Sequence, residues 1–206
     1  MQNEIGHDEV RFVIAPGLHN SGPLHWQSLW EARLCGVRVE QDNWRVGALA
    51  QWTTRLTQTV LTEDTRPAVI IAHSLGCLAT LAAWPALRGR VSALFLAAPA
   101  APGRFGLDIG TLAAQPPEVP SVLVGSQNDP WMPLADAEHL AGRINATFVD
   151  AGSVGHINSI SDLGLWPAGW TLLERLLAVA LPGLALPHPL PPPARVRRAD
   201  QVAWLV

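Results

Sequence analysis

The sequence predicts an α/β fold: a mostly parallel, six-stranded sheet lying between two layers of helices. Three observations carry this. Six apolar, β-branched-rich runs recur along the 206 residues. Stretches with helical spacing of apolar residues separate them, the signature of crossover connections in a parallel sheet. Finally, the chain is 49% hydrophobic and 15% charged, enough apolar residue for one well-packed core and incompatible with disorder throughout.

Taken in order, the strand candidates are Arg11 to Ala15, Val37 to Gln41, Ala68 to Ala72, Val91 to Ala97, Ser121 to Gly125 and Thr147 to Asp150. Trp26, Leu29, Trp30 and Leu34 fall at helical intervals after Ser21 and Pro23, which predicts a helix capped near Ser21 with proline in its first turn. Leu49, Trp52, Leu56 and Val60 form a second helical face. Further helices are expected at 75–87, 133–143 and 167–179. Six of the twelve residues from Pro182 to Pro193 are proline, so neither helix nor interior strand continues there. The expected organisation is an N-terminal extension over 1–10, a globular domain over 11–182 and a proline-rich tail over 183–206. The tail is expected to be inert; a proline-rich ligand for a partner domain is the functional alternative.

Absent residue types narrow the chemistry. All 14 basic residues are arginine, and the chain has neither lysine nor tyrosine. A lysine Schiff base, a phosphate-loop lysine and a Tyr–Lys dehydrogenase site are therefore excluded. A net charge of -3 and a pI near 6.1 argue against nucleic acid as a partner. Cys35 and Cys77 form no CxxC pattern and are read as small core residues of a protein in a reducing compartment. No HExxH pattern occurs, so no metal is expected, and nothing implies a cofactor. Residues 1–10 are polar and lack a signal-peptide core, and no long apolar run escapes charge or proline, which predicts a cytoplasmic protein without a membrane span.

Ser74 stands where an apolar strand, Pro67 to Ala72, passes directly into a small-residue helix. A nucleophilic serine on a strained strand-to-helix turn needs small residues two before and two after it, and Ala72 and Gly76 occupy those places. Alanine replaces the usual glycine at the first of them. The same serine in the same context is also an ordinary helix cap. Activation requires a histidine, and orientation of that histidine requires a carboxylate. His156 follows the last strand candidate in a glycine-containing loop, and Asp129 follows the Ser121 to Gly125 run. Asp150 ranks second for the acid, because it lies only six residues before His156. The resulting chain order is Ser, Asp, His. The Leu75 N–H, at the start of the following helix, is one expected oxyanion donor.

Pro16-Gly17-Leu-His-Asn20-Ser21-Gly22-Pro23-Leu-His25-Trp26-Gln27, Val39-Glu40-Gln41-Asp42-Asn-Trp44, Ala72-His-Ser-Leu-Gly-Cys77, Ser126-Gln-Asn-Asp129-Pro130 and Gly155-His-Ile-Asn158 together resemble the small serine hydrolases of the YdeN and retinoblastoma-binding-protein-nine type. The resemblance spans about residues 11 to 180. It implies a compact three-layer α/β-hydrolase fold without a lid domain and a triad of Ser74, Asp129 and His156. The twenty residues from Ala101 to Pro120 are likewise too few for a lid. With strand order 2-1-3-4-5-6, the loops after the first and third strands flank one crevice. The Leu18 N–H then becomes the second oxyanion donor, with Gly17 permitting close approach. His25 and Trp131 are expected to line the substrate crevice. The expected reaction is hydrolysis of a small carboxylic ester, thioester or amide through an acyl-enzyme. The alternative is a non-catalytic protein-binding module on the same scaffold.

Overall fold

The computed structural model describes residues 9–187. Most of the N-terminal extension, and the proline-rich tail from residue 188 onward, lie outside the described residues. Six strands, β1 (Arg11–Ala15), β2 (Val37–Arg38), β3 (Ala68–His73), β4 (Val91–Ala97), β5 (Ser121–Gly125) and β6 (Thr147–Asp150), form one sheet in the order 2-1-3-4-5-6. Every pairing is parallel. The chain runs outward from β1 to β2, then crosses back to β3 on the other side of β1. This leaves a crevice beyond the carboxyl ends of β1 and β3.

All residues of β1, β3 and β5 are buried, as expected for a sheet covered on both faces. Alternation along the strands divides the core in two. Val13, Ala15, Ile70, Ala72, Leu94 and Leu96 pack against helices α2 (Leu49–Val60), α3 (Leu75–Leu87) and α5 (Leu134–Arg143). Phe12, Ile14, Val69, Ile71, Phe95 and Ala97 face α1 (Trp26–Leu34) and α6 (Pro167–Ala180). The second layer is rich in aromatic edges: the Trp26 ring lies 4.7 Å from Trp30 and 5.0 Å from Trp166. Between β4 and β5 the chain forms only a 3₁₀ turn (Pro102–Phe105) and a one-turn helix, α4 (Ile109–Leu112), so no lid domain covers the crevice. No helix among the described residues is long and apolar enough to cross a membrane.

Four local expectations are corrected. Helix α1 begins at Trp26, not near Ser21, because the His25 side chain caps it: His25 Nδ1 accepts the Gln27 N–H at 3.1 Å. Strand β2 stops at Arg38 rather than Gln41. The Arg38 guanidinium turns toward α1 to pair with Glu31 and to donate to Asn20 Oδ1 and the Ser21 carbonyl. Cys35 is exposed rather than a core residue; it occupies the left-handed position that ends α1. Leu184 and Leu186, assigned from sequence to the tail, pack against the α1/α6 side of the core.

Candidate active site

Ser74 sits at the turn from β3 into α3 with φ 54° and ψ -119°, a conformation costly for any residue but glycine. The surroundings hold it there. Its N–H donates to the Ala97 carbonyl of β4 at 3.1 Å, and its carbonyl accepts the Cys77 N–H at 3.0 Å. Two glycines make the turn possible. A Cβ on Gly76 would stand 2.2 Å from the Ala15 carbonyl oxygen, and one on Gly17 would stand 2.7 Å from Ser74 Cβ. Backbone from the ends of β1 and β3 thus meets at a distance that no side chain allows.

His156 reaches the same point from the loop after β6. Ser74 Oγ donates to His156 Nε2 at 2.9 Å, while His156 Nδ1–H lies 2.8 and 2.9 Å from the two carboxylate oxygens of Asp129. The Asp129 side chain is only 1% exposed, and its Oδ1 also accepts the Trp131 N–H at 2.8 Å. A buried carboxylate with this pairing fixes the imidazole tautomer that leaves Nε2 free to accept a proton. Asp150 is elsewhere: its carboxylate accepts from the Gln127 side chain and the Gly152 N–H.

The loop carrying His156 is tied down from three directions. His73 Nε2–H donates to the His156 carbonyl at 2.8 Å, Trp26 Nε1–H to the Ile157 carbonyl at 2.7 Å, and the Gly155 N–H to Asn128 Oδ1 at 2.7 Å. Sequence reasoning missed all three anchors. The His73 ring lies 4.9 Å from that of His156. The signal available was adjacency alone, since His73 precedes Ser74 and Asn128 precedes Asp129. Gln27 was also missed. Buried at the mouth of the split between β1 and β3, its amide donates to the Ala15 and Ile71 carbonyls, and its Oε1 accepts the Ser21 hydroxyl.

Burial governs protonation here. His73 is held neutral, its pKa well below the usual histidine range, first by desolvation and then by the neighbouring His25 and His156. Desolvation, with Arg38 and His156 contributing less, pushes His25 down to about 3. Cys77, one helical turn past Ser74, has its thiol pKa raised by burial and is chemically inert packing.

The expected oxyanion donors lie where the fold leaves N–H groups free. Leu75 is the first residue of α3, so its N–H has no intrahelical acceptor. The Leu18 N–H makes no hydrogen bond among the described residues, whereas the next two N–H groups, of His19 and Asn20, are bound to the Trp44 and Gly17 carbonyls. Trp131 is 45% exposed and borders, with Pro130, Val154, His156 and Ile160, a cavity of about 440 Å³. His25 does not line the crevice: it is 3% exposed, packed between Trp26 and His73, and occupied in capping α1. No group of side chains among the described residues is arranged to hold a metal ion.

Comparison with known proteins places this geometry. The family model for "Serine hydrolase" matches residues 12–175. Among solved structures, the chain is similar to a YdeN-like hydrolase from Pectobacterium atrosepticum at 32% identity, covering 85% of this chain and 94% of that one with a TM-score of 0.79. The ydeN gene product of B. subtilis matches at 19% identity over 82% of this chain and 98% of its own, TM-score 0.64. Est1E of Butyrivibrio proteoclasticus, solved with ferulic acid bound, matches at 14% over 82% and 88%, TM-score 0.61. The latter two likenesses show the α/β-hydrolase fold alone. No curated protein matches the chain.

Proposed function

Because this chain belongs to the family of YdeN-like serine hydrolases, we propose that Ser74, His156 and Asp129 are its catalytic triad and that it cleaves a small carboxylic ester, thioester or amide. The observation that carries this reading is the unbroken path from Ser74 Oγ through His156 to Asp129, built on a strained serine. His156 Nε2 takes the Ser74 proton as Oγ adds to the substrate carbonyl. The Leu18 and Leu75 N–H groups receive the developing oxyanion. His156 then protonates the leaving group, an acyl-enzyme forms, and a water activated by His156 releases the acid. Asp129 keeps the imidazole in the productive tautomer and stabilises its cation. The catalytic unit begins near residue 11 and runs past residue 182, since Leu184 and Leu186 pack on the α1/α6 side of the core.

Labelling with a fluorophosphonate probe tests the reading. The wild-type protein is expected to label covalently and the Ser74→Ala variant not at all. On a short-chain 4-nitrophenyl ester, Ser74→Ala is expected to lower kcat by about 10⁶ and Asp129→Asn by about 10⁴. Labelling that persists in a folded Ser74→Ala protein would place the nucleophile elsewhere.

A further inference from the structure

The two sides of the proposed site differ in chemistry. An alcohol or amine leaving group takes its proton from His156 Nε2, so that portion of a substrate lies on the His156 side, opposite the Leu18 and Leu75 N–H groups. On the His156 side the exposed wall is Trp131, whose ring centroid lies 6.1 Å from that of His156. Over the Trp131 ring, 4.6 Å from its centroid, stands the guanidinium carbon of Arg104. Arg38, Arg55 and Arg66 each pair with a carboxylate. The Arg104 side chain is exposed and, among the described residues, has this ring contact but no ion pair or hydrogen bond.

The pair is fixed to the site's own backbone. The Ala101 N–H donates to the Trp131 carbonyl at 3.2 Å, the Arg104 N–H donates to the Ala101 carbonyl at 3.1 Å, and the Trp131 N–H is held by Asp129. A guanidinium stacked on an indole keeps its N–H edge free. It is thereby preorganised for a planar oxyacid, at a lower ordering cost than a free arginine would meet.

We propose that Arg104, stacked on Trp131, binds a carboxylate carried on the leaving-group portion of the substrate, so that the enzyme prefers acid-bearing alcohol or amine portions over neutral ones. This rests on the reading of Ser74, His156 and Asp129 as the reacting groups. The test compares kcat/KM for 4-carboxyphenyl butyrate with that for its near-isostere 4-carbamoylphenyl butyrate in wild-type, Arg104→Met and Arg104→Lys proteins, with thermal melting of each. The ratio cancels intrinsic ester reactivity when compared across variants. Arg104→Met is expected to lower the carboxy-to-carbamoyl ratio about fivefold to tenfold, and Arg104→Lys to recover part of it. Raising NaCl to about 0.5 M should narrow the wild-type ratio, because an exposed pair is screened.

A ratio identical in wild-type and natively melting Arg104→Met protein would overturn the inference while leaving the proposed hydrolase intact. An Arg104-dependent preference seen only when the carboxylate is on the acyl side, as in 4-nitrophenyl glutarate against 4-nitrophenyl valerate, would overturn the placement. Turnover of no ester, together with absent Ser74-dependent labelling, would strike the catalytic reading itself and this inference with it.

Discussion

Gly17 and Gly76 flank the same serine, and neither has room for one added methyl group, but the atoms that must yield differ. At Gly17 the new Cβ meets Ser74 Cβ at 2.7 Å and Oγ at 3.2 Å, so Ser74, the proposed nucleophile, must shift. At Gly76 it meets the Ala15 and Pro16 carbonyl oxygens at 2.2 and 2.6 Å, which are backbone and have nowhere to go. Gly17→Ala is therefore expected to lower kcat/KM about a hundredfold, the effect of misplacing a reacting atom by about 1 Å, and to cost stability too, since Ser74 Cβ cannot yield without its backbone. Gly76→Ala is expected to destabilise the fold by about 3 kcal/mol or more, because α3 must move off β1. Parallel urea titrations and ester kinetics separate the two. A Gly17→Ala protein with wild-type kcat/KM would mean that the Ser74 position seen here is not the reactive one.

At the scale of elements, the proposed triad was legible because each member follows the carboxyl end of a strand that apolar runs make visible. What holds these three residues in place was not legible. Trp26, Gln27 and His73 act by aiming donors at backbone carbonyls, and Trp26 reaches Ile157 across 131 residues of sequence. Composition and periodicity register such residues only as apolar or polar, never by the acceptor they find. The start of α1 was misplaced for a related reason. Ser21 looks like a cap, but its hydroxyl is spent on Gln27 and the cap is His25. Helix α1 thus holds the His156 loop as well as the core, and Trp26→Phe tests this. Removing the indole N–H leaves the Ile157 carbonyl without its partner, at about 1–3 kcal/mol of stability, and the smaller ring adds the cost of a cavity against Trp30 and Trp166. Freed from that tether, the His156 loop should drift, and kcat should fall severalfold with KM little changed. A Trp26→Phe enzyme of lowered stability and undiminished kcat would confine the bond to a core role.

For the whole molecule, the seam between the α1 layer and the sheet contains two imidazoles that folding has stripped of water. The rings of His25 and His73 lie 5.0 Å apart, and both are buried. Burial depresses the native pKa of each below that of an exposed histidine, His25 to about 3. Below about pH 6.5 the unfolded chain takes up protons at both positions while the native chain does not. Stability contributed by the neutral forms is therefore complete above that value and declines as pH falls from about 6.5 toward 3. The slope is about 1.4 kcal/mol per pH unit for each histidine at full difference in protonation. The urea midpoint should be level from about pH 8 to 7 and then fall steadily toward pH 4. His25→Asn retains a side-chain oxygen able to cap α1 but cannot titrate, so its midpoint should fall about half as steeply, with His73 supplying the remainder. Asp64, lowered to about 2 chiefly by its hydrogen bond to Arg66, adds a loss of its own as pH falls from about 4 toward 2, so the histidine slope is read above about pH 5, where Asp64 is ionised in both states. A wild-type midpoint unchanged between pH 7 and 5 would show that these imidazoles gain protons without unfolding, and that the seam is open to water.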